Sequence, residues 1–471
     1  LTQEAVMWLG NINTLYLRTR FHPTVAGLPG HLDLISFDEY YERIESFEGV
    51  YTAIVDEVLR LGQQPDGVTY AVPGHPFVAE ATCAEILTRA KTMGITVQMI
   101  HGLSFLEPTF RALEIDPFPN LMLLDAIQLS MSHTPGFPPS SPALIAQVYS
   151  REVASEVKLS LMAAYPDEHP VRLVHAAGTP DETLEDLPLY AVDQSSRLGL
   201  LSSLYLPPLS SASSFEAFQE VVARLRAPDG CPWDRQQTHI SLRPFLLEEA
   251  YEALEALDRK DMAELQEELG DLLLQVVLHA QIAAEEGDFT IHDVLEEIGT
   301  KLIRRHPHVF SEVEVDGVSG VIRNWEAIKA EERRENGSEI KNGLLDGVPR
   351  ALPALSQSQA VIERVGRVGF DWLLAKGKSE VIFQKLQDFE RLGAGEQELI
   401  LGDLLLSMAA LAYRDDIDAE SALRERLMKF RERFSRMESH AAESGTSLGD
   451  LTAEEKFNLW EKLDETHRKG D

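Results

Sequence analysis

The chain has 471 residues and a formal charge of −34, from 43 basic and 77 acidic side chains. That length allows about two to four domains with cores of their own, and the charge argues against a nucleic-acid backbone or an anionic membrane as partner. Two cysteines, Cys83 and Cys231, are too few for a disulfide framework and suit a reducing cytoplasm. No apolar run approaches membrane-spanning length.

In chain order, residues 1–208 alternate short apolar strands with helical stretches. Strands are expected at 14–17, 67–72, 96–100, 121–124, 172–174 and 200–206. Pro and Gly follow several of them, as in Val72-Pro73-Gly74-His75-Pro76. This is an α/β pattern with loops at strand ends, where ligands bind in such folds. Pro73, Gly74 and His75 are therefore candidates to line a pocket; a rigid strand-to-helix turn explains the same residues. The stretch Pro207-Pro208-Leu209-Ser210-Ser211-Ala212-Ser213-Ser214 reads as a linker.

Beyond it the pattern is all-helical. Helices are expected at 214–226, 240–258, 261–286, 291–305 and 320–336, with a break from Gly337 to about Pro353 and a further helical block at 354–466. The second and third helices carry two acidic pairs, Glu249 with Glu252 and Glu268 with Asp271. Each pair is spaced i, i+3 and shares a helix face. A short polar break, Asp258-Arg259-Lys260-Asp261, joins the helices and makes them antiparallel neighbours. Four converging carboxylates repel one another unless a cation sits between them, and oxygen ligands select Mg²⁺ or Mn²⁺. Such acids usually face solvent and pair with lysines. Here the run Leu272-Leu273-Leu274-Gln275-Val276-Val277-Leu278 marks a buried helix, and neither Glu268 nor Asp271 has a Lys or Arg at i+4.

Lys301 and Arg305 are i, i+4 on the fourth helix and form one basic face. Trp325 and Lys329 share that spacing, placing an aromatic plane beside an ammonium; ordinary core packing is the alternative for Trp325. His306 and His308 flank Pro307 and read as a helix-ending turn rather than a metal pair. Thr238 or Ser241 is a candidate N-cap.

The block after residue 350 looks like a decayed copy. Leu401-Gly402-Asp403-Leu404-Leu405-Leu406 echoes Leu269-Gly270-Asp271-Leu272-Leu273-Leu274, and Lys429 and Arg433 echo Lys301 and Arg305. Ile400 stands where the first copy has Glu268, and Lys385 lies where the first acidic pair belongs; of the four acids only Asp403 and Asp388 have counterparts. This copy is expected to have lost its metal and to serve packing or dimerisation.

The order Glu-Glu-x-x-Glu, then Glu-x-x-Asp, resembles the signature of MazG-type nucleoside triphosphate pyrophosphohydrolases. Cys231-Pro232-Trp233-Asp234, Gln237-Thr238-His239, Ser241-Leu242, Arg304-Arg305-His306-Pro307-His308-Val309-Phe310 and Asn324-Trp325-Glu326 with Lys329 resemble further segments of that family. The resemblance spans about residues 213–340, and Gly366 to Trp372, GRVGFDW, resembles the start of a second copy. It implies Mg²⁺-dependent hydrolysis of nucleoside triphosphates, ribo or deoxy, to a monophosphate and pyrophosphate. Glu249, Glu252, Glu268 and Asp271 would hold the metal, Glu248 or Glu249 would handle the attacking water, Lys301, Arg305 and Lys329 would meet phosphates, Trp325 would stack on the base, and Trp233 would shape the pocket mouth.

Leu15-Tyr16-Leu17-Arg18-Thr19-Arg20-Phe21-His22-Pro23, Pro73 to Glu80 and Gly102 to Glu107 resemble the tetrapyrrole methylase family. A methylase-like domain ahead of MazG is the layout of YabN-type proteins. The family's opening strand and Gly-rich turn have no counterpart in residues 1–10, LTQEAVMWLG, so S-adenosylmethionine chemistry is not expected of this chain. The expected architecture is an α/β domain over 1–208, a catalytic helical domain over 209–340 and a degenerate helical domain over 350–471. Because one such bundle buries little core alone, a homodimer or higher homo-oligomer is expected. Rival readings are a methyltransferase with a helical scaffold, a non-catalytic nucleotide sensor, and a di-iron bundle, which needs Glu-x-x-His motifs that are missing here.

Overall fold

The computed structural model describes residues 1–335, 343–370, 378–389, 391 and 393–468. The chain divides into two compact units, Leu1–Gln236 and Gln237–Asp471.

The first unit holds two sheets. β1 (Thr14–Leu17) lies between β2 (Asp33–Ser36) and β3 (Tyr70–Ala71), all parallel. The second sheet runs β4 (Met122–Asp125), β5 (Ala143–Ala146), β8 (Ser202–Leu206), β6 (Pro170–His175), β7 (Thr183–Pro188), with β4 and β5 parallel and the remaining pairs antiparallel. Phe37, Val50, Ile54, Val58 and Ile86 bury the helix Phe47–Gly62 against the first sheet. Ile145, Leu161, Leu173, Leu189 and Leu204 form the core under the second.

The expected strand at 96–100 does not form. Its β-branched residues suit a strand, but among the described residues β3 pairs only with β1 and 96–100 joins no ladder. The stretch expected as a linker is tied down instead. The Leu209 N–H donates to the Pro139 carbonyl at 2.8 Å, and Ser214 is buried and meets the Ser140 hydroxyl at 2.8 Å. The helix Phe215–Arg226 therefore stays with the first unit, and the boundary falls between Gln236 and Gln237.

The second unit is helical. Its first four long helices are His239–Arg259, Met262–Glu286, Ile291–Arg305 and Gly317–Glu335. Ala354–Gly366, Lys378–Phe389, Ala394–Arg414, Ala419–Glu443 and Ala453–Arg468 follow. Thr238 caps the first of these: its hydroxyl accepts the Ser241 N–H while the Ser241 hydroxyl accepts the Thr238 N–H. Both candidate residues thus take part in one reciprocal cap. Lys260, in the left-handed conformation at φ +57°, ends that helix, and the Asp261 carboxylate accepts two N–H groups to start the next.

Candidate active site

A hairpin so short forces its helices alongside each other, and the contacts give the direction. His239 meets His279 near the open end, while Glu249 and Glu252 meet Glu268 nearer the turn. The helices are antiparallel. Ala253, Ala256, Ala280 and Ala283 are buried on them, so small side chains bring the backbones close.

This register gathers the acids. Carboxylate oxygens of Glu249, Glu252 and Glu268 all lie within 4.8 Å of one another. Partial burial and then the charge of Asp271, with Glu252 and Glu268 behind it, raise the proton affinity of Glu249 above the usual carboxylate range. Desolvation, then Glu252 and Asp271, raise that of Glu268. Like charges this close raise one another's proton affinity. Oxygen-only donors at this spacing fit a hard divalent cation.

Glu248 is exposed and stands about 100° round the helix from Glu249. It belongs to a neighbouring stripe with Tyr251, Glu255 and Asp258, and the gathered cluster does not include it.

The remaining candidates are built on another helix pair. Arg305, at the end of Ile291–Arg305, grips Glu332 of Gly317–Glu335 through Nη2–Oε2 at 2.6 Å and Nε–Oε2 at 3.2 Å. The Arg304 guanidinium approaches the same carboxylate at 3.9 Å. The hydrogen bond from Arg305 holds the Glu332 carboxyl below its usual range. Two cations sit over the Trp325 indole: the Lys329 ammonium at 4.4 Å and the Arg305 guanidinium at 5.6 Å from its centre. Lys301 pairs with Glu297 one turn back, at 3.1 Å. His306 ends its helix with Nδ1 on the Leu302 carbonyl at 2.7 Å. The His308 Nδ1 and Asn324 Nδ2 atoms are buried without hydrogen-bond partners among the described residues. Trp233, on the short helix Pro232–Arg235 of the first unit, is 58% exposed.

The spacing signals single out neither Glu332 nor the His239–His279 pair, whose Nδ1 atoms are 2.7 Å apart with rings parallel within 2°. Glu332 is i+7 from Trp325 and i+3 from Lys329, a spacing that would have flagged it as sharing their face.

In the second block the Lys385 ammonium bridges to Asp403. It places a positive charge against that acid, where the first block, among the described residues, gathers carboxylates alone. Arg433 lies over the Trp460 ring at 3.9 Å, with Phe430 at 4.9 Å. Asp371, Trp372 and the side chains of Glu326 and Asp388 lie outside the described residues.

In the first unit, Gly74 adopts φ +77°, and its carbonyl packs so closely on Gly102 that a side chain there would collide with it. His75 Nε2 meets His101 Nδ1 at 3.3 Å with the rings stacked, and His75 Nδ1 accepts the Phe77 N–H at 3.1 Å. The candidate loop is thus a built turn against a second glycine loop.

Two families match the chain: tetrapyrrole (corrin/porphyrin) methylases over residues 1–193, and the MazG nucleotide pyrophosphohydrolase domain over 237–310. An uncharacterized protein, YabN of Bacillus subtilis, is 40% identical over 98% of this chain and 95% of its own length. The nucleoside triphosphate pyrophosphohydrolase/pyrophosphatase MazG of Thermotoga maritima is 43% identical over 53% of this chain and 94% of its own. The nucleoside triphosphate pyrophosphohydrolase of Escherichia coli K12 is 38% identical over 52% and 94%.

Proposed function

Because this chain belongs to the MazG family, with a tetrapyrrole-methylase-type domain ahead of its helical half, we propose that the Glu249–Glu268 hairpin is the centre at which it hydrolyses nucleoside triphosphates to monophosphate and pyrophosphate. The convergence of three carboxylates within 4.8 Å carries this assignment. Glu249, Glu252, Glu268 and Asp271 would hold Mg²⁺, or Mn²⁺ in its place. A divalent cation held there neutralises phosphate oxygens and acidifies a bound water.

The chain's own groups do the rest. Glu249, within the cluster, would orient the attacking water as well as hold the metal. Glu248 points elsewhere and would act only from outside the cluster. Arg305 and Lys329 are the cations for the triphosphate, with Lys301 one turn before Arg305. Trp325, with the Lys329 ammonium and the Arg305 guanidinium over its ring, is the candidate to stack on the base. Substrates are nucleoside triphosphates, ribo or deoxy. The two thiols, Cys83 and Cys231, form no disulfide, which suits a reducing cytoplasm.

Several apolar side chains on the hairpin and the following helix are exposed, among them Leu269, Leu273, Leu295 and Ile298. A second copy of the chain is the natural cover for them.

The test is pyrophosphate release from the eight common nucleoside and deoxynucleoside triphosphates with Mg²⁺, comparing the parent with Glu268→Gln and Asp271→Asn. Removing a ligand charge is expected to lower kcat/KM by roughly 10²-fold or more. Turnover that survives both substitutions would place the reaction elsewhere.

A further inference from the structure

The Arg305–Glu332 pair combines two observations. Arg305 is a proposed phosphate ligand, and the Nε/Nη2 edge of its guanidinium is already engaged. Both Nε and Nη2 donate to the Glu332 carboxylate, with side chains only 18% and 14% exposed. Arg304 leans on the same carboxylate. A guanidinium gripping a carboxylate in two places has the geometry it would use on a phosphate.

We propose that Glu332 is a built-in stand-in for phosphate, which the substrate must displace from Arg305 before it can be held. This rests on the reading of Arg305 as a phosphate ligand. The carboxylate is delivered by Gly317–Glu335, the helix that also carries Trp325 and Lys329. Substrate binding and release of Glu332 are therefore events on one helix.

The electrostatics give the arrangement a reason. In a chain of charge −34, a bare cationic pocket would attract the protein's own acids and any small anion. An internal carboxylate keeps Arg305 oriented and half-buried at little cost, because neither charge is left unpaired. It also sets a threshold. A ligand that needs Arg305 binds only to the fraction of molecules in which Glu332 has let go, so its apparent affinity falls by that fraction. A triphosphate brings several charges to that exchange and a monophosphate fewer, so the pair favours capture of substrate and departure of the nucleotide product.

The second block has a related joint at a main-chain carbonyl. Arg433, the counterpart of Arg305, donates Nε to the main-chain carbonyl of Trp460 at 3.1 Å. Each arginine thus reaches a residue 27 positions on. A neutral carbonyl can clasp a helix, yet it does not mimic phosphate.

The experiment is Glu332→Gln, with Glu332→Ala as a second variant. Readouts are kcat, KM, and the dissociation constant of a non-hydrolysable α,β-methylene nucleoside triphosphate. Removing the charge is expected to tighten the analogue and lower KM by roughly 3- to 10-fold, with kcat unchanged or lower as the monophosphate leaves more slowly. Inhibition by nucleoside monophosphate strengthens in parallel. If Glu332 were only a helix clasp, both variants would melt earlier while KM and the analogue constant stayed level or rose, and that result overturns the proposal. A parent that fails to bind the analogue at all removes Arg305 as a phosphate ligand and this proposal with it; a parent that binds it, with variants no tighter, removes the proposal alone.

Discussion

At the scale of single residues, Glu249 carries a testable sign. Its carboxyl is raised by burial and by Asp271. In the metal-free protein the folded state therefore holds a proton that the unfolded chain releases, so stability falls as pH rises from the ordinary carboxylate value through the raised one. Mg²⁺ needs the ionised form and reverses the trend. Thermal melts from about pH 4, near the ordinary carboxylate value, to about pH 8 are expected to show Mg²⁺ raising Tm at the alkaline end and losing that effect at the acid end. In Glu249→Gln both the pH slope and the Mg²⁺ gain shrink; a Mg²⁺ gain that does not depend on pH in the parent refutes the cluster as the binding site. The acids were legible because i, i+3 spacing and a short break are local facts, and helical geometry turns them into a meeting point. Glu332 was not, since its partner lies 27 residues away and only the packing of two helices brings them together.

The same contrast holds between elements. Helices of the second unit begin and end close to where periodicity puts them, because caps such as Thr238 with Ser241 and the Lys260-Asp261 turn are written locally. Strands fared worse. β5, Ala-Leu-Ile-Ala, is buried on both faces and has no alternation to read. β7, Thr-Leu-Glu-Asp-Leu-Pro, lies at a sheet edge, with Leu184 and Asp186 exposed and Thr183, Glu185 and Leu187 half-buried. Its identity depends on the neighbour it pairs with. Corresponding helix pairs of the two blocks then make a prediction. The first ends in a carboxylate cluster; the second holds Lys385 against Asp403, a pair exposed enough to add little stability. Mn²⁺ titrated into the protein, with unbound Mn²⁺ followed by its paramagnetic resonance, is expected to lose its tight site in Glu268→Gln and to keep it in Asp403→Asn. An equal loss in both variants would mean that the second block also binds metal.

Across the whole molecule, the repeat explains an otherwise costly surface. Leu269, Leu273 and Val276 form an exposed stripe at i, i+4, i+7, and Leu401, Leu405 and Met408 repeat it on the corresponding helix of the second block. Leu295, Ile298 and Leu302 add a third on Ile291–Arg305. Each such side chain gains about 1–2 kcal/mol when taken out of water, and stripes at helical spacing are made to be covered by other helices. A homodimer satisfies all three with one chain, since a two-fold axis sets equivalent faces against each other. Light scattering on eluted protein is expected to give twice the 52.6 kDa chain mass. Ile298→Glu and Leu405→Glu each place a charge that must be buried if the stripe is an interface, a penalty of several kcal/mol, and are expected to yield monomer. Pyrophosphate release by that monomer then separates two designs. Retained turnover means that one hairpin holds a complete site; lost turnover, with the helical content of the fold intact, means that the partner chain holds the carboxylate hairpin in register. A parent that is already monomeric at micromolar concentration would leave the stripes without their cover and refute the dimer.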